Sequence, residues 1–332
     1  MRVLYETMYL EFYRVLVKNG FSPKRAELSA KLFADASRDG VYTHGLNRFV
    51  KFIASLKTGC VDIYGVPVLK ESLGVLERYD GKAGPGNLNA HYCMEQAIRL
   101  AKKQTIGCVA LSNTNHWMRP GNYGLMAVEE NCIGILWTNT VPNMPPWGGR
   151  EAKLGNNPVV LAIPHGDAPV LVDVAMSMFS YGKLESYARA GKELPVDGGY
   201  DVDQLPTKDA AQILKSRQSL PIGYWKGSGL SLALDLIAAV LAGGSTSRMI
   251  GTLSSETRLS QVFIAVSLDA LPDKEILLKE IHATLKDLKE SSPVTEEQPV
   301  YYPGENMMRV RAENMKLGIP ADEGIWKQVL EM

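Results

Sequence analysis

Residues 106–138 read IGCVALSNTNHWMRPGNYGLMAVEENCIGILWT, and their pattern is the clearest indication of the fold class. Residues 106–111 and 132–138 are short apolar runs typical of buried strands, and residues 123–131 between them have the composition of a helix. Further apolar runs at 159–163, 170–174 and 261–268 predict more strands. This alternation predicts an α/β protein with a mixed sheet flanked by helices.

The two ends of the chain have helical patterns instead. Residues 4–19 and 23–38 carry apolar side chains at helical spacing, and Ser22 before Pro23 is typical of a helix start. A third helix is expected to begin close to His44, with Thr43 as its N-cap. Helices near 305–317 and 321–330 are expected to pack on the first ones as a separate helical layer.

The length of 332 residues exceeds the size at which one core usually stops growing, so two lobes are predicted. The first combines residues 1–80 with 290–332, and the second comprises residues 81–289. Residues 291–303 are polar, contain proline and are expected to cross between them.

Basic and acidic residues balance at 36 each, which gives no reason to expect a nucleic acid or an anionic membrane surface as partner. The apolar run 230–241 is too short to span a bilayer, and the N-terminus lacks a signal-peptide layout, so a cytoplasmic protein with a small-molecule partner is expected. The four cysteines form no C-x-x-C pair, and no histidine pairs with a ligand at metal spacing. No metal is expected.

His44 and Arg48 lie four residues apart, on one face of the predicted third helix. Histidine moves protons near neutral pH, and an arginine fork can hold a carboxylate beside it. The alternative is that His44 closes a helix end and Arg48 is a surface charge. His116 follows the strand at 106–111, where α/β proteins place ligand contacts.

Residues 221–229 read PIGYWKGSG and open a long apolar helix. Small residues with a lysine at a helix start favour a phosphate site, although a closely packed helix start explains them equally well. The pattern matches neither G-x-G-x-x-G nor the P-loop. Any dinucleotide site therefore lies outside the Rossmann fingerprint.

Together, these motifs resemble the malate/L-lactate dehydrogenase family, whose members lack the Rossmann fold, and within it the 2,3-diketo-L-gulonate reductase branch. The resemblance runs over almost the whole chain. It is carried by GVYTHGLNRF, NTNHWMRPGNYG, WTNTVPNMPPWG, VDVAMSMFSYGKLE, ELPVDGGYD, GYWKGSGLSLALDL, SQVFIAV and YPGE.

The resemblance implies that His44 gives a proton to a carbonyl oxygen, that Arg48 holds the substrate carboxylate, and that His116 and the Thr43 hydroxyl line the substrate pocket. It implies a cofactor site in the 81–289 lobe and a substrate side in the helical lobe. The implied cofactor contacts are Val170, Leu171, Val172, Asp173, Val174, Ala175, Trp225, Lys226, Gly304, Glu305 and Asn306. Asp173 could instead orient His44.

The implied reaction is hydride transfer from NADH, or alternatively NADPH, to the 2-keto group of a sugar-derived 2-oxo acid, converting 2,3-diketo-L-gulonate to 3-dehydro-L-gulonate. Alternatives are another 2-oxo or cyclic imino acid, or a sugar-acid binding protein or cofactor-independent isomerase that uses His44 as a base. The family suggests a homodimer. Two departures stand out: Thr43 replaces the family's usual serine, and Val141-Pro142-Asn143 replaces small apolar residues.

Overall fold

The computed structural model describes residues 1–295 and 299–332. Its helices are α1 Tyr5–Lys18, α2 Pro23–Arg38, α3 Leu46–Leu56, α4 Gly86–Gln104, α5 Gly121–Glu129, α6 Tyr181–Ala190, α7 Ala210–Ser216, α8 Trp225–Ala242, α9 Ser247–Ile250, α10 Lys274–Lys289, α11 Glu305–Leu317 and α12 Glu323–Glu331. Its strands are β1 Arg2–Val3, β2 Val68–Leu73, β3 Leu76–Asp80, β4 Ile106–Thr114, β5 Cys132–Thr138, β6 Val159–Ile163, β7 Val170–Val174, β8 Gly199–Tyr200, β9 Pro206–Thr207, β10 Leu259–Ser267 and β11 Ile319–Pro320.

The main sheet has the strand order β2-β3-β4-β10-β5-β6-β7. β3 and β4 run parallel, and the other neighbouring pairs are antiparallel. In the centre, Phe263 of β10 pairs with Val109 on one side and Leu136 on the other. The predicted mixed sheet is confirmed, and it differs from the all-parallel order of a Rossmann domain.

Helices cover both faces of this sheet, because alternate residues of each buried strand point to opposite sides. Val109 and Leu111 point to the face covered by α4 and α5, where they join one apolar core. Ala110 and Val262 point to the other face, where they meet Ala238 and Ala242 of α8. The fold class expected from the sequence is therefore confirmed.

A helical layer from both ends of the chain packs beside the sheet. In its core, Phe12 and Phe49 stack and Phe33 meets Phe49 edge-to-face, and Trp326 and Val329 of α12 join the same cluster. β1 pairs with β11, which ties the two ends together. The exact division at residues 80 and 290 stays a prediction, and the expected crossing segment 291–303 lies partly outside the described residues.

A small unit that the sequence did not predict in full lies between β7 and α8. Ser177 and Pro221 form an isolated bridge, which brings the ends of residues 178–220 together. We call these residues the cap segment. It contains α6, α7, β8 and β9, and it has its own small apolar core around Leu184 and Ile213. The cap segment forms one wall of the cavity described next.

Candidate active site

A cavity of about 720 Å³ lies where the helical layer, the sheet and the cap segment meet. Its volume is in the usual range for sites that bind small molecules. The residues that concern the chemistry come from six parts of the chain: Thr43, His44, Arg48; His116, Arg119; Thr140, Asn143; Asn156; Leu171, Asp173, Ala175; and Gly304. The four residues expected around the substrate are thus in one place.

His44 lies in the turn before α3, and the prediction that Thr43 is the N-cap of this helix is wrong. The N-cap is Gly45, and the Leu46 N–H donates to Oγ of Ser37 at 2.9 Å. A Cβ on Gly45 would lie 2.0 Å from that same oxygen, so the chain can approach α2 only with glycine here. The Thr43 hydroxyl makes no cap hydrogen bond and instead lies within hydrogen-bond distance of Nδ1 of His44, at 3.1 Å.

The rings of His44 and His116 are nearly parallel, with centroids 5.9 Å apart. The Met118 N–H donates to Nδ1 of His116 at 3.0 Å. Neutral His116 must therefore carry its proton on Nε2, so it is a hydrogen-bond donor at that atom. The two histidines are consequently not equivalent.

Burial and nearby cations keep both rings neutral at pH 7. Burial, together with the charges of Arg48 and Arg119, lowers the pKa of His44 to about 4. Burial and Arg48 also lower the pKa of His116 well below its usual value. Arg48 itself lines the cavity, and no hydrogen bond or ion pair among the described residues holds its guanidinium.

An ion cluster that sequence reasoning missed lies at the back of the cavity. Asp39 is fully buried and accepts hydrogen bonds from Arg38, Arg119 and Arg311. Burial alone would raise the pKa of Asp39, but the hydrogen bonds from Arg311 and the positive charges hold it far below its usual value. The motif NHWMR contained Arg119, but nothing in it indicated burial beside Asp39.

Asp173 belongs to β7, and its side chain reaches the start of α5, where its Oδ2 accepts a hydrogen bond from the Gly121 N–H at 3.0 Å. Desolvation by the surrounding protein raises the pKa of this carboxyl, although Arg119 and that N–H act in the opposite direction, and the residue stays accessible from the cavity. Among the described residues, it makes no hydrogen bond to His44. The geometry accordingly favours a role for Asp173 in lining the cavity along β7 over the orientation of His44.

Comparison with known proteins identifies the family in which this arrangement of residues occurs. The family model described as malate/L-lactate dehydrogenase matches residues 3–330. The chain belongs to the malate/L-lactate dehydrogenase family. It is 41% identical to a 2,3-diketo-L-gulonate reductase of Escherichia coli K12 over 331 residues, 99% of each chain.

Two solved structures of this dehydrogenase type have the same fold. The sulfolactate dehydrogenase of Methanocaldococcus jannaschii is 30% identical with a TM-score of 0.89, and the match covers 100% of this chain and 96% of that one. The malate dehydrogenase of Entamoeba histolytica is 25% identical with a TM-score of 0.94 at the same coverage. The resemblance read from the motifs is therefore confirmed, and the chain is an oxidoreductase.

Membership in this dehydrogenase family implies a nicotinamide cofactor, and the cavity has features that fit one. Gly304 lines the cavity with φ at +102°, and a Cβ there would lie 2.2 Å from the Pro169 carbonyl oxygen. Only glycine lets α11 begin this close to β7, and a helix start favours a phosphate. Arg119 also lines the cavity, and its buried Nε has no partner among the described residues.

The residues predicted to contact the cofactor fall into three groups. Leu171, Asp173, Ala175 and Gly304 line the cavity, whereas Val170, Val172 and Val174 alternate away from it along β7. Glu305 and Asn306 lie in the first turn of α11. There Glu305 accepts a hydrogen bond from Lys289, and Asn306 accepts hydrogen bonds from Arg309. Trp225 and Lys226 are exposed at the start of α8 and do not line the cavity.

The start of α8 is closely packed. A Cβ on Gly227 would lie 2.3 Å from the Ile222 carbonyl oxygen, so this glycine is explained by packing. The exposed position of Trp225 and Lys226 leaves their role as cofactor contacts a prediction.

Proposed function

We propose that this protein reduces 2,3-diketo-L-gulonate to 3-dehydro-L-gulonate, with NADH as the hydride donor and NADPH as the alternative. The observation that carries the proposal is the free guanidinium of Arg48 in the same cavity as the half-buried pair His44 and His116, with part of β7 also exposed to that cavity. The names of the full-length relatives support the same substrate.

Arg48 is the carboxylate clamp in this scheme. It lines the same cavity as both histidines, and its positive charge lowers the pKa of each. A guanidinium without a protein partner can form two parallel hydrogen bonds to a carboxylate. A 2-oxo acid held in this way has its keto oxygen next to the carboxylate and therefore near the histidines.

His44 is the proton donor. The bound carboxylate neutralises Arg48, which allows His44 to take up a proton. Its Nδ1 then donates to the Thr43 hydroxyl, and its Nε2 gives a proton to the oxygen that becomes an alkoxide. His116 keeps its own proton on Nε2 and donates a hydrogen bond, without proton transfer, to that oxygen or to a neighbouring hydroxyl.

The cofactor, when bound, supplies the hydride to the keto carbon. Leu171, Asp173 and Ala175 would lie along it, and Gly304 with the start of α11 would receive a phosphate. Arg119 lines the same cavity and contacts Met307 of α11 through Nη2. The preference for NADH over NADPH is part of the proposal, and paired titrations of both cofactors test it.

The test is NADH consumption with pyruvate, oxaloacetate and 2,3-diketo-L-gulonate. We expect the highest kcat/KM with the sugar acid. A higher value with pyruvate or oxaloacetate would favour a malate- or lactate-type enzyme. No consumption with any 2-oxo or cyclic imino acid would favour the binding protein or isomerase.

We further propose a homodimer formed through α8. One face of this helix packs on the sheet, while Leu230, Leu232, Leu236 and Ile237 on its other face are about half exposed and Val240 is 75% exposed. An apolar patch of this kind marks an interface. Trp225 and Lys226 lie at the N-terminal end of α8, where contact between subunits would bring them near the cofactor of the other subunit.

α8 is also long and apolar enough to cross a membrane by length and composition alone. However, its Asp235 is buried and accepts hydrogen bonds from Asn139 and from the Ser247 N–H, which holds the helix against the domain. We therefore propose a cytoplasmic protein without a membrane or nucleic-acid partner. Sedimentation of the purified protein at several concentrations tests the dimer.

A further inference from the structure

Two loops meet in one part of the cavity lining. Thr140 and Asn143 follow β5, and Asn156 precedes β6. Oγ1 of Thr140 and Nδ2 of Asn143 both lie 3.0 Å from Oδ1 of Asn156. Together with Glu256, these residues form what we call the polar wall.

One end of the Asn156 amide is presented to the cavity. Its Oδ1 is taken by Thr140 and Asn143, whereas its Nδ2 has no partner among the described residues and is not buried. The backbone carbonyl of Asn156 accepts from the Met176 N–H at 2.7 Å, which fixes the loop. Hydrogen bonds from Thr140, Asn143 and Met176 to Asn156 therefore fix the position of its Nδ2 group.

The chemistry of the ligand follows from the amide. The oxygen and nitrogen of a side-chain amide can be exchanged by rotating the group. If both Asn143 and Asn156 were rotated in this way, their hydrogen bond would persist with its direction reversed, and the cavity-facing end of Asn156 would be an acceptor instead of a donor. A hydroxyl can donate and accept, so it fits either arrangement. A second carboxylate, which only accepts, fits one of them.

Asn143 has a positioning role. Its Oδ1 is buried without a partner among the described residues, which is a cost that an apolar side chain would avoid. Its Nδ2 orients Asn156, and its backbone oxygen accepts from the Tyr181 hydroxyl at 2.8 Å. Next to Tyr181, a Cβ on Gly182 would lie 2.8 Å from Cβ of Thr43, so the polar wall adjoins the His44 side of the cavity.

Glu256 adds a negative charge to this wall. Its Oε2 lies 3.4 Å from the Val141 N–H, and no cation in the described part of the chain pairs with it. A carboxylate accepts hydrogen bonds from hydroxyls strongly and repels another carboxylate. The charge of the polar wall itself is thus negative, which favours a hydroxylated group over a second carboxylate at this wall.

We propose that the polar wall binds hydroxyl groups on the part of the substrate beyond the keto carbon. It would make the enzyme selective for polyhydroxylated acids with one carboxylate over dicarboxylic 2-oxo acids. This inference rests on the proposed function, because it assumes that a 2-oxo acid is reduced in this cavity.

The test compares Asn156→Leu and Asn143→Leu with the unchanged enzyme. Both variants keep the approximate volume and remove the amide. We expect the ratio of kcat/KM for 2,3-diketo-L-gulonate to that for pyruvate to fall about tenfold, through KM, because pyruvate has no hydroxyl to lose. Asn143→Gln should recover part of the loss. Val141→Ala is the control, since it trims the same part of the cavity without removing a polar group.

Glu256→Gln tests the charge. We expect the ratio of kcat/KM for oxaloacetate to that for 2,3-diketo-L-gulonate to rise at least about fivefold, because the repulsion of the second carboxylate is removed. An unchanged ratio would contradict the role of Glu256.

Two results would overturn the inference. In the first, the amide variants lower kcat/KM equally for all substrates. In the second, they weaken NADH binding by the same factor, which would assign Asn156 to the cofactor. The proposed function fails separately, if the unchanged enzyme oxidises NADH with none of the 2-oxo acids.

Discussion

The pH dependence of reduction follows from the half-buried position of His44 beside two arginines. With a pKa of about 4 in the free enzyme, about one molecule in a thousand carries the proton on His44 at pH 7. At the ordinary pKa of about 6.5 the fraction would be about one in four. Because reduction needs the protonated ring, we expect kcat/KM to fall about tenfold per pH unit above pH 5.

The complex should behave differently from the free enzyme. A carboxylate on Arg48 offsets one of the charges that lower the pKa of His44, so the rate in the complex should hold to a higher pH than kcat/KM does. Single-turnover hydride transfer, followed by NADH absorbance between pH 5 and 9, measures this rate without product release.

Two variants sharpen this measurement. Arg48→Gln should raise the pKa of His44 in the free enzyme. Arg189→Gln, at the cavity edge, removes a cation that does not contribute to the His44 shift, and it should leave that pKa in place. The reasoning is refuted if kcat/KM is flat up to pH 7, or if free and bound enzyme titrate at the same pH.

Three further variants test other parts of the site. His44→Ala should lower turnover at least about a hundredfold while NADH still binds, and near-normal turnover would remove His44 from the mechanism. Arg48→Lys should weaken binding of the 2-oxo acid more than binding of NADH in titrations, since lysine lacks the planar fork, and equal losses would make Arg48 structural. Asp39→Asn should lower the free energy of unfolding, measured in urea, by about 3–5 kcal/mol, because Arg38, Arg119 and Arg311 lose their buried carboxylate. Asp167→Asn, on an exposed turn, is the control and should change it little.

The Asp39 cluster also predicts the effect of acid on stability. Its folded pKa lies far below the unfolded value, so its contribution is complete above the unfolded pKa of about 4 and is lost as the pH falls below that. His44 acts in the same direction at milder acidity. Its folded pKa of about 4 lies below the unfolded value of about 6.5, so the unfolded chain binds the proton first.

Most elements of the sheet could be predicted, because their signal is local. β5, β6 and β7 have the bounds expected from their apolar runs, since each run ends at polar or turn residues. β1 and β11 were not predicted, because a pair of two-residue strands depends on residues that only the tertiary fold brings together. The start of α3 was misplaced for a related reason, since Ser37 of another helix bonds its first N–H.

The candidate site divides in the same way. The motifs placed Thr43, His44, Arg48 and His116 in one pocket, and the structure brings them to one cavity. The residues alone left the His44 pair open to a structural role, and the family resemblance supplied the chemistry. Asp39 was not predicted, because its burial depends on Arg311, 272 positions further along the chain.

The pairing of β1 with β11 has a consequence for how the chain is made. Arg2 donates to the carbonyl of Gly318, 316 positions away, and the phenylalanine core of α1 to α3 is completed by Trp326 and Val329. On the ribosome, α1 to α3 emerge long before α12, so their shared apolar face stays uncovered while the whole sheet is synthesised. Nascent chains of this protein should therefore depend on a holdase chaperone until translation reaches α12.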